Sequence, residues 1–219
     1  MSNIAIIDYG MGNLYSVAKA VECVAEAKDT ILVTSDADQI AKCDKVIFPG
    51  QGAAKDCMSA LQQCDLQAAI LAAAQKKPFL GICMGMQVLM QMSEENDGTD
   101  CLGFYKGSVN YFGNHLSIGS DKNSYKVPHM GWNCIEQQQN HPLWENIPES
   151  SYFYFVHSYF VKTEDERLVA GTTNYGPAFT SVIAQDNVFA MQCHPEKSAQ
   201  LGLQLLKNFI HWDGNNSVN

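Results

Sequence analysis

Cys83 stands in the run Leu80-Gly81-Ile82-Cys83-Met84-Gly85-Met86-Gln87, directly after the strand signal Pro78-Phe79-Leu80. Gly81 and Gly85 bracket it at G-x-C-x-G spacing. That spacing suits a nucleophile on a sharp strand-to-helix turn, because neighbours reduced to hydrogen let strand, turn and helix close up. A thiol so placed lies beside the N-terminus of the next helix, whose partial positive charge favours the thiolate. The same run also suits a buried, inert cysteine in a glycine-rich turn, since free cysteine is among the most buried residue types.

Other segments bear on that choice. Far downstream, Cys193-His194-Pro195-Glu196 supplies a base and a carboxylate. In an extended chain His194 and Glu196 share one side, because the strand period is two, and Pro195 disfavours the helical conformation at His194. A carboxylate on one imidazole nitrogen leaves the other for a thiol, the arrangement of acyl-transfer enzymes. His-Pro-Glu also suits a plain strand end with a solvated glutamate. Upstream, Phe48-Pro49-Gly50-Gln51-Gly52-Ala53 marks a second strand-to-helix junction. There the Gln51 N–H, with that of Met84, could form an oxyanion hole; the alternative is an ordinary Pro-Gly turn. Gln87, one helical turn beyond the cysteine, could hydrogen-bond a small polar substrate or face solvent. Cys193 points away from His194's side and reads as packing.

The elements that position these residues alternate strand and helix through the first half, which predicts a parallel sheet flanked by helices. Strands are expected at 3–7, 31–34, 45–48 and 79–82. The last is apolar throughout, as a strand buried on both faces should be. Leu14, Val17, Ala18, Val21, Val24 and Ala25 recur at helical spacing. A short helix is expected at 37–41, and a longer helical stretch over 53–75 breaks near Asp65. Beyond residue 93 the texture becomes aromatic and β-rich, with strands near 104–112, 151–161, 167–173, 178–184 and 188–193 joined by turn signals. These predict antiparallel pairing and a mixed, largely parallel α/β sheet with helices on both faces and a β-rich C-terminal half. A final helix starts at 198. Residues 1–212 read as one domain and 213–219 as a frayed polar tail.

Composition limits what this fold serves. The 219 residues are 46% hydrophobic and 17% charged, with a net charge of -9. This argues against a phosphate-backbone partner, which needs clustered Lys and Arg. No apolar run is long enough to span a membrane and no basic leader is present. Eight cysteines without C-x-x-C spacing and six scattered histidines give no zinc site, and reduced thiols in a cytoplasmic protein are expected. No metal or cofactor is called for.

Taken together, Gly81-Ile82-Cys83-Met84-Gly85-Met86-Gln87, Pro49-Gly50-Gln51-Gly52 and His194-Pro195-Glu196 resemble the three signatures of the class I (triad) glutamine amidotransferases, in order. The runs Asp8-Tyr9-Gly10-Met11-Gly12-Asn13-Leu14, Val127-Pro128-His129-Met130-Gly131-Trp132-Asn133 and Tyr154-Phe155-Val156-His157-Ser158-Tyr159 resemble one branch, the glutaminase subunits of imidazole glycerol phosphate synthases in histidine biosynthesis. The likeness extends to about Trp212. A glutaminase feeding pyridoxal phosphate synthesis would share the triad, but leaves the Pro-His-Met-Gly-Trp-Asn run unexplained.

The resemblance implies the flavodoxin-like mixed sheet of the family and hydrolysis of L-glutamine to glutamate and ammonia. Cys83 would attack the carboxamide, His194 would move the proton and Glu196 would orient His194, through a γ-glutamyl thioester that water hydrolyses. Gln51 and Met84 N–H groups would form the oxyanion hole. Gly50, Gly52, Gln87, Ser158 and Tyr159 would line the glutamine pocket, the last two partly through backbone groups. Gln51 departs from the apolar residue many relatives carry there. The resemblance also implies a heterodimer with a (β/α)8-barrel cyclase subunit that receives the ammonia and makes imidazole glycerol phosphate and an aminoimidazole carboxamide ribotide. Asn13, Trp132, Tyr154 and Lys197 are the interface candidates, with core packing the alternative for the aromatics and a solvated charge for Lys197.

Overall fold

The computed structural model describes residues 1–116 and 125–216. In its first half every strand leads into a helix: β1 (Asn3–Ile7), α1 (Leu14–Val24), β2 (Thr30–Thr34), α2 (Ala37–Lys42), β3 (Lys45–Gly50), α3 (Ala54–Gln63), α4 (Gln67–Lys76), β4 (Phe79–Cys83) and α5 (Met84–Gln87). The long helical stretch divides where Asp65 takes a φ of 54° and the Leu66 N–H returns to the Leu61 carbonyl. Capping sets other boundaries: Asp36 Oδ1 accepts from the Asp38 and Gln39 N–H groups at the start of α2.

The second half is β-rich: β5 (Met92–Ser93), β6 (Thr99–Asp100), β7 (Gly107–Tyr111), β8 (His129–Gln137), β9 (Ser151–His157), β10 (Tyr159–Thr163), β11 (Val169–Asn174), β12 (Ala178–Gln185) and β13 (Val188–Met191), before α6 (Ala199–His211). Among the described residues, one 13-stranded sheet runs in the order β2-β1-β3-β4-β13-β12-β10-β7-β5-β6, with β11, β8 and β9 branching from β12. Pairing is parallel from β2 to β13. It turns antiparallel at β12, as the hairpin signal at 185–187 predicts.

Alternation along the parallel strands builds two cores. Ile4, Ile6, Ile47, Leu80, Ile82, Phe189 and Met191 face the side covered by α1 and α6. Ala5, Ile7, Val46, Phe48, Phe79, Val188 and Ala190 face the side covered by α2, α3 and α4. A sheet covered on both faces exposes its catalytic possibilities only at strand ends, and in such folds ligands bind beyond the carboxyl ends.

Two sequence expectations differ from what is seen. Strand β8 was not marked by its pattern, because exposed Met130 and Trp132 and the positive-φ Gly131 break the usual apolar alternation. The start of the C-terminal tail is not frayed: Trp212 Nε1 donates to the Asn215 carbonyl at 2.7 Å, and Asp213 accepts the Asn215 N–H at 2.9 Å. Residues 217–219 lie outside the described residues. No helix among the described residues is long and apolar enough to cross a membrane.

Candidate active site

Three adjacent parallel strands bring the site together. The β3–β4 ladder ends with Gly50 opposite Cys83, and the β4–β13 ladder ends with Ile82 opposite Met191. The next rung therefore sets Gln192 beside Cys83. The cysteine itself has φ 55° and ψ −108°, a sparsely populated conformation for a residue with a side chain. Close approach holds it there. A Cβ on Gly81 would meet Ala190 Cβ at 2.8 Å, and one on Gly85 would run into the Phe48 carbonyl oxygen. The requirement for glycine at both positions is thus steric rather than a matter of positive φ.

The helix that follows is a single turn of 4 residues. Too few peptide units align there for the macrodipole the sequence suggested, so electrostatic support for an anion at Cys83 must come from side chains and the first unpaired N–H groups. His194 is one such side chain, lining the same cleft as Cys83. Its Nδ1 lies 2.8 Å from Glu196 Oε1, and both side chains are almost fully buried. The expected geometry is present for a different reason. His194 is extended (φ −106°, ψ 97°), but Glu196 sits in a short 3-10 turn over Pro195–Lys197, which swings its carboxylate back onto the imidazole.

Burial works against charge on His194, but the Cys83 sulfur and the Glu196 carboxylate outweigh it and lift the imidazole to about 10. Nε2, the nitrogen left over, makes no well-formed hydrogen bond among the described residues. Catalytic contacts are often loose before substrate arrives. The main chain of His194 is clamped to β9: its N–H donates to the Tyr154 carbonyl at 2.9 Å, while Ser198 Oγ accepts the Tyr154 N–H at 3.0 Å and donates to the His194 carbonyl at 2.6 Å.

A cleft of about 760 Å³ opens above these groups, lined by Cys83, Met84, Gln87, His194, Gln51, Gly52, Ser158, Tyr159, Glu95 and Lys197 among others. Gly50 does not line it; this residue lies behind the turn, where a Cβ would strike the Tyr9 hydroxyl and come within 2.8 Å of Met84 Cβ. Gln87 is buried rather than solvent-facing, and its Nε2 donates to the Tyr159 carbonyl at 3.1 Å. That carbonyl also accepts from His157 Nδ1 at 2.7 Å, so its lone pairs are engaged and Tyr159 can offer a ligand other groups only. The Ser158 carbonyl takes the Phe112 N–H. Trp132 and Tyr154 pair across β8 and β9, with Trp132 52% exposed, which excludes core packing for the tryptophan. Lys197 Nζ is 6.0 Å from the Tyr154 ring centre. Asn13 is exposed, and its Oδ1 caps α1 by accepting the Ser16 N–H at 3.2 Å.

Some contributors were missed in the sequence. Tyr9 donates its hydroxyl to the Pro49 carbonyl at 3.1 Å and braces the loop carrying Gln51. Glu95 faces the cleft while its Oε2 takes the Ala54 N–H of α3 at 2.7 Å. Tyr9 stands in the Asp8–Leu14 run that carries the family resemblance, but its bracing role had no sequence signal, and neither had Glu95, since both act across long chain separations. Gln192 did have one: the period-two reasoning that groups 194 with 196 also groups 192 with 194.

This geometry belongs to α/β enzymes that carry out acyl transfer from a cysteine. Residues 5–212 match the family described as glutamine amidotransferase class-I, and the chain belongs to that family. Among curated relatives, the imidazole glycerol phosphate synthase subunit HisH of Hydrogenovibrio crunogenus is 54% identical over 96% of this chain and 97% of its own length. Subunit HisH 1 of Pseudomonas aeruginosa is 50% identical over 98% and 99%. A solved glutamine amidotransferase superposes with a TM-score of 0.67 at 15% identity, covering 94% of this chain and 97% of that one. Another from Thermotoga maritima gives 0.55 at 15% identity, covering 96% and 83%. The solved structures speak for the fold alone.

Proposed function

We infer that this chain is the glutaminase subunit of an imidazole glycerol phosphate synthase, hydrolysing L-glutamine to glutamate and ammonia and delivering the ammonia to a partner subunit. The observation that carries the chemistry is a strained Cys83 facing a buried His194–Glu196 pair at the carboxyl end of the parallel sheet. Near full-length identity to relatives bearing the synthase-subunit name supports the assignment to this branch.

In the reaction Cys83 Sγ attacks the carboxamide carbon while His194 Nε2 holds the thiol proton. The carbonyl oxygen becomes an oxyanion, placed to accept from the Met84 N–H, which as the first of its helix has no partner within it, and from the Gln51 N–H beyond the end of the β3 ladder. Collapse expels ammonia with the proton from His194 and leaves a γ-glutamyl thioester. Water then adds, His194 takes its proton and returns it to sulfur, and glutamate leaves. Glu196 keeps Nδ1–H engaged so that Nε2 remains the working nitrogen. Gly52, Gln87, Ser158 and Tyr159 shape the pocket, and the free oxygen of Glu95 offers a charge partner for the substrate's α-ammonium. Gly50 contributes by letting the turn close rather than by touching substrate.

The partner is a (β/α)8-barrel cyclase that consumes ammonia before water protonates it. Exposed Met130, Trp132 and Tyr152 on the β8–β9 ribbon, with Tyr154 paired to Trp132 and Lys197 at the cleft beside the Tyr154 ring, support docking there. Asn13 is exposed, but its side chain is committed to capping α1. Residues 1–212 act as one domain with 213–219 as its tail, and the protein works in the cytoplasm, where its eight unpaired cysteines stay reduced. The test is ammonia release from glutamine with and without the cyclase and its ligand. Release should rise strongly with both and vanish in Cys83→Ala; release by that variant at the unmodified rate would overturn the assignment.

A further inference from the structure

Gln192 is fully buried at the rung beside the nucleophile, and the direction of every hydrogen bond around it is fixed by one group that can only accept. The Tyr159 carbonyl, 3.1 Å from the Gln87 amide, obliges Gln87 to present Nε2 rather than Oε1. The second hydrogen of that nitrogen reaches Gln192 at 2.9 Å, so Gln192 must meet it with Oε1. Gln192 Nε2 is thereby turned the other way, 3.5 Å from Cys83 Sγ. The sulfur is the acceptor of that bond. With both hydrogens of its nitrogen engaged, Gln87 keeps only Oε1 uncommitted, and Gln87 lines the cleft.

We propose that Gln192 is a working part of this site: its Nε2–H donates to the Cys83 sulfur and steadies the thiolate, while its Oε1 locks Gln87 so that an acceptor faces the N–H groups of the bound substrate. The proposal rests on the cysteine-glutaminase reading above. A donor aimed at sulfur favours the anion over the thiol, because only the anion is a strong acceptor. That role is separate from the role of His194, which exchanges a proton with the sulfur. It also supplies, from a side chain, stabilisation that a one-turn helix is too short to give.

Two substitutions divide the functions. Gln192→Glu keeps the shape and an acceptor toward Gln87 but removes the donor to sulfur. Gln192→Met keeps the length and removes both. Iodoacetamide alkylation of the full-length chain, followed across pH by mass spectrometry of the Cys83 peptide to exclude the other cysteines, reads the thiolate directly. Glutamine turnover in the complex with the cyclase gives kcat and KM. In Gln192→Glu the alkylation midpoint should rise by about one pH unit or more and kcat fall about tenfold, with KM within about twofold of the unmodified protein. In Gln192→Met the same changes should come with a KM raised severalfold. A midpoint and kcat unchanged in Gln192→Glu would overturn the proposal, as would variants that lose only thermal stability. Should Gln192→Met not fold, Gln192→Glu alone decides. Alkylation is independent of turnover, so a normal Cys83 midpoint shift in a chain with no glutaminase activity would instead count against the glutaminase reading.

Discussion

Replacing Glu196 by glutamine removes one charge from the site and little else. In the unmodified protein Oε1 lies 2.8 Å from His194 Nδ1, with side-chain exposures of 2% and 7%, so solvent screens the pair weakly. A hydrogen bond to a charged group contributes about 1.5–3 kcal/mol and a neutral one about 0.5–1.5 kcal/mol. The substitution therefore costs the imidazolium about 1–2 kcal/mol, or roughly a 5- to 30-fold fall in kcat. His194→Ala removes the proton carrier itself, and such groups contribute about 100- to 10,000-fold. The direction with pH is also fixed. Cys83 and Glu196 lift His194 to about 10 against the burial that opposes its charge, so loss of the carboxylate lowers the pH at which the imidazolium is lost. The alkaline limb of the rate should move down. The assay is steady-state glutamine hydrolysis in the presence of the cyclase, from pH 6 to about 10. A loss in Glu196→Gln equal to or greater than that in His194→Ala, or an alkaline limb that does not move, would refute the roles assigned to these two residues.

Three further outcomes follow from packing and burial. Gly85→Ala places a methyl on the Phe48 carbonyl oxygen, where neither backbone can yield; about 2–3 kcal/mol of stability should be lost, and an unchanged melting temperature would contradict the close packing of turn and strand. Burial lowers His129 to about 4, His141 to about 4 and His157 to about 3, with His157 also raised slightly by its bond to the Tyr159 carbonyl. These bases sit below their unfolded value near 6.5, so their contribution is complete above that pH and erodes as pH falls through 6.5 toward 4. Allowing for screening and for the shared bond between His129 and His157, about 3 kcal/mol should be gone at pH 5. Thermal unfolding and imidazole NMR titration check this; His157 titrating near 6.5 would contradict it. Trp132→Ala, at a side chain 52% exposed, should leave folding intact but weaken cyclase association about tenfold or more. Calorimetry showing equal affinity would remove Trp132 from the interface.

The parallel half of the fold was legible because its strands are short apolar runs punctuated by helical stripes, and even the break at Asp65 announced itself between the Ala- and Gln-rich segments. The Cys83 turn was legible for the same local reason: two glycines four residues apart at a strand end are what a tightly packed strand-to-helix turn requires. The cross-sheet partners were hidden. Tyr9 and Glu95 meet the site through hydrogen bonds spanning 40 and 41 residues, which no local pattern encodes; Gln192 is in period with His194, but its partner Cys83, 109 residues away, is set by the sheet register. Strand β8 was hidden for another reason, since residues kept apolar for an outer surface obscure the alternation that marks a strand. Local geometry can also be reached by more than one route. His194 and Glu196 meet as expected, but through a 3-10 turn rather than along an extended chain.

Covalent acyl transfer from glutamine to Cys83, with His194 and Glu196 behind it, is the step on which the rest of the chemistry depends. Acid-quenched single turnover with glutamine in the cyclase complex, followed by mass spectrometry of the Cys83 peptide, tests it directly. One γ-glutamyl group should form on Cys83, decay with turnover and be sharply reduced in His194→Ala. Glutamine hydrolysis at full rate without any adduct on Cys83, or with the adduct on another cysteine, would contradict the proposed role of this thiol.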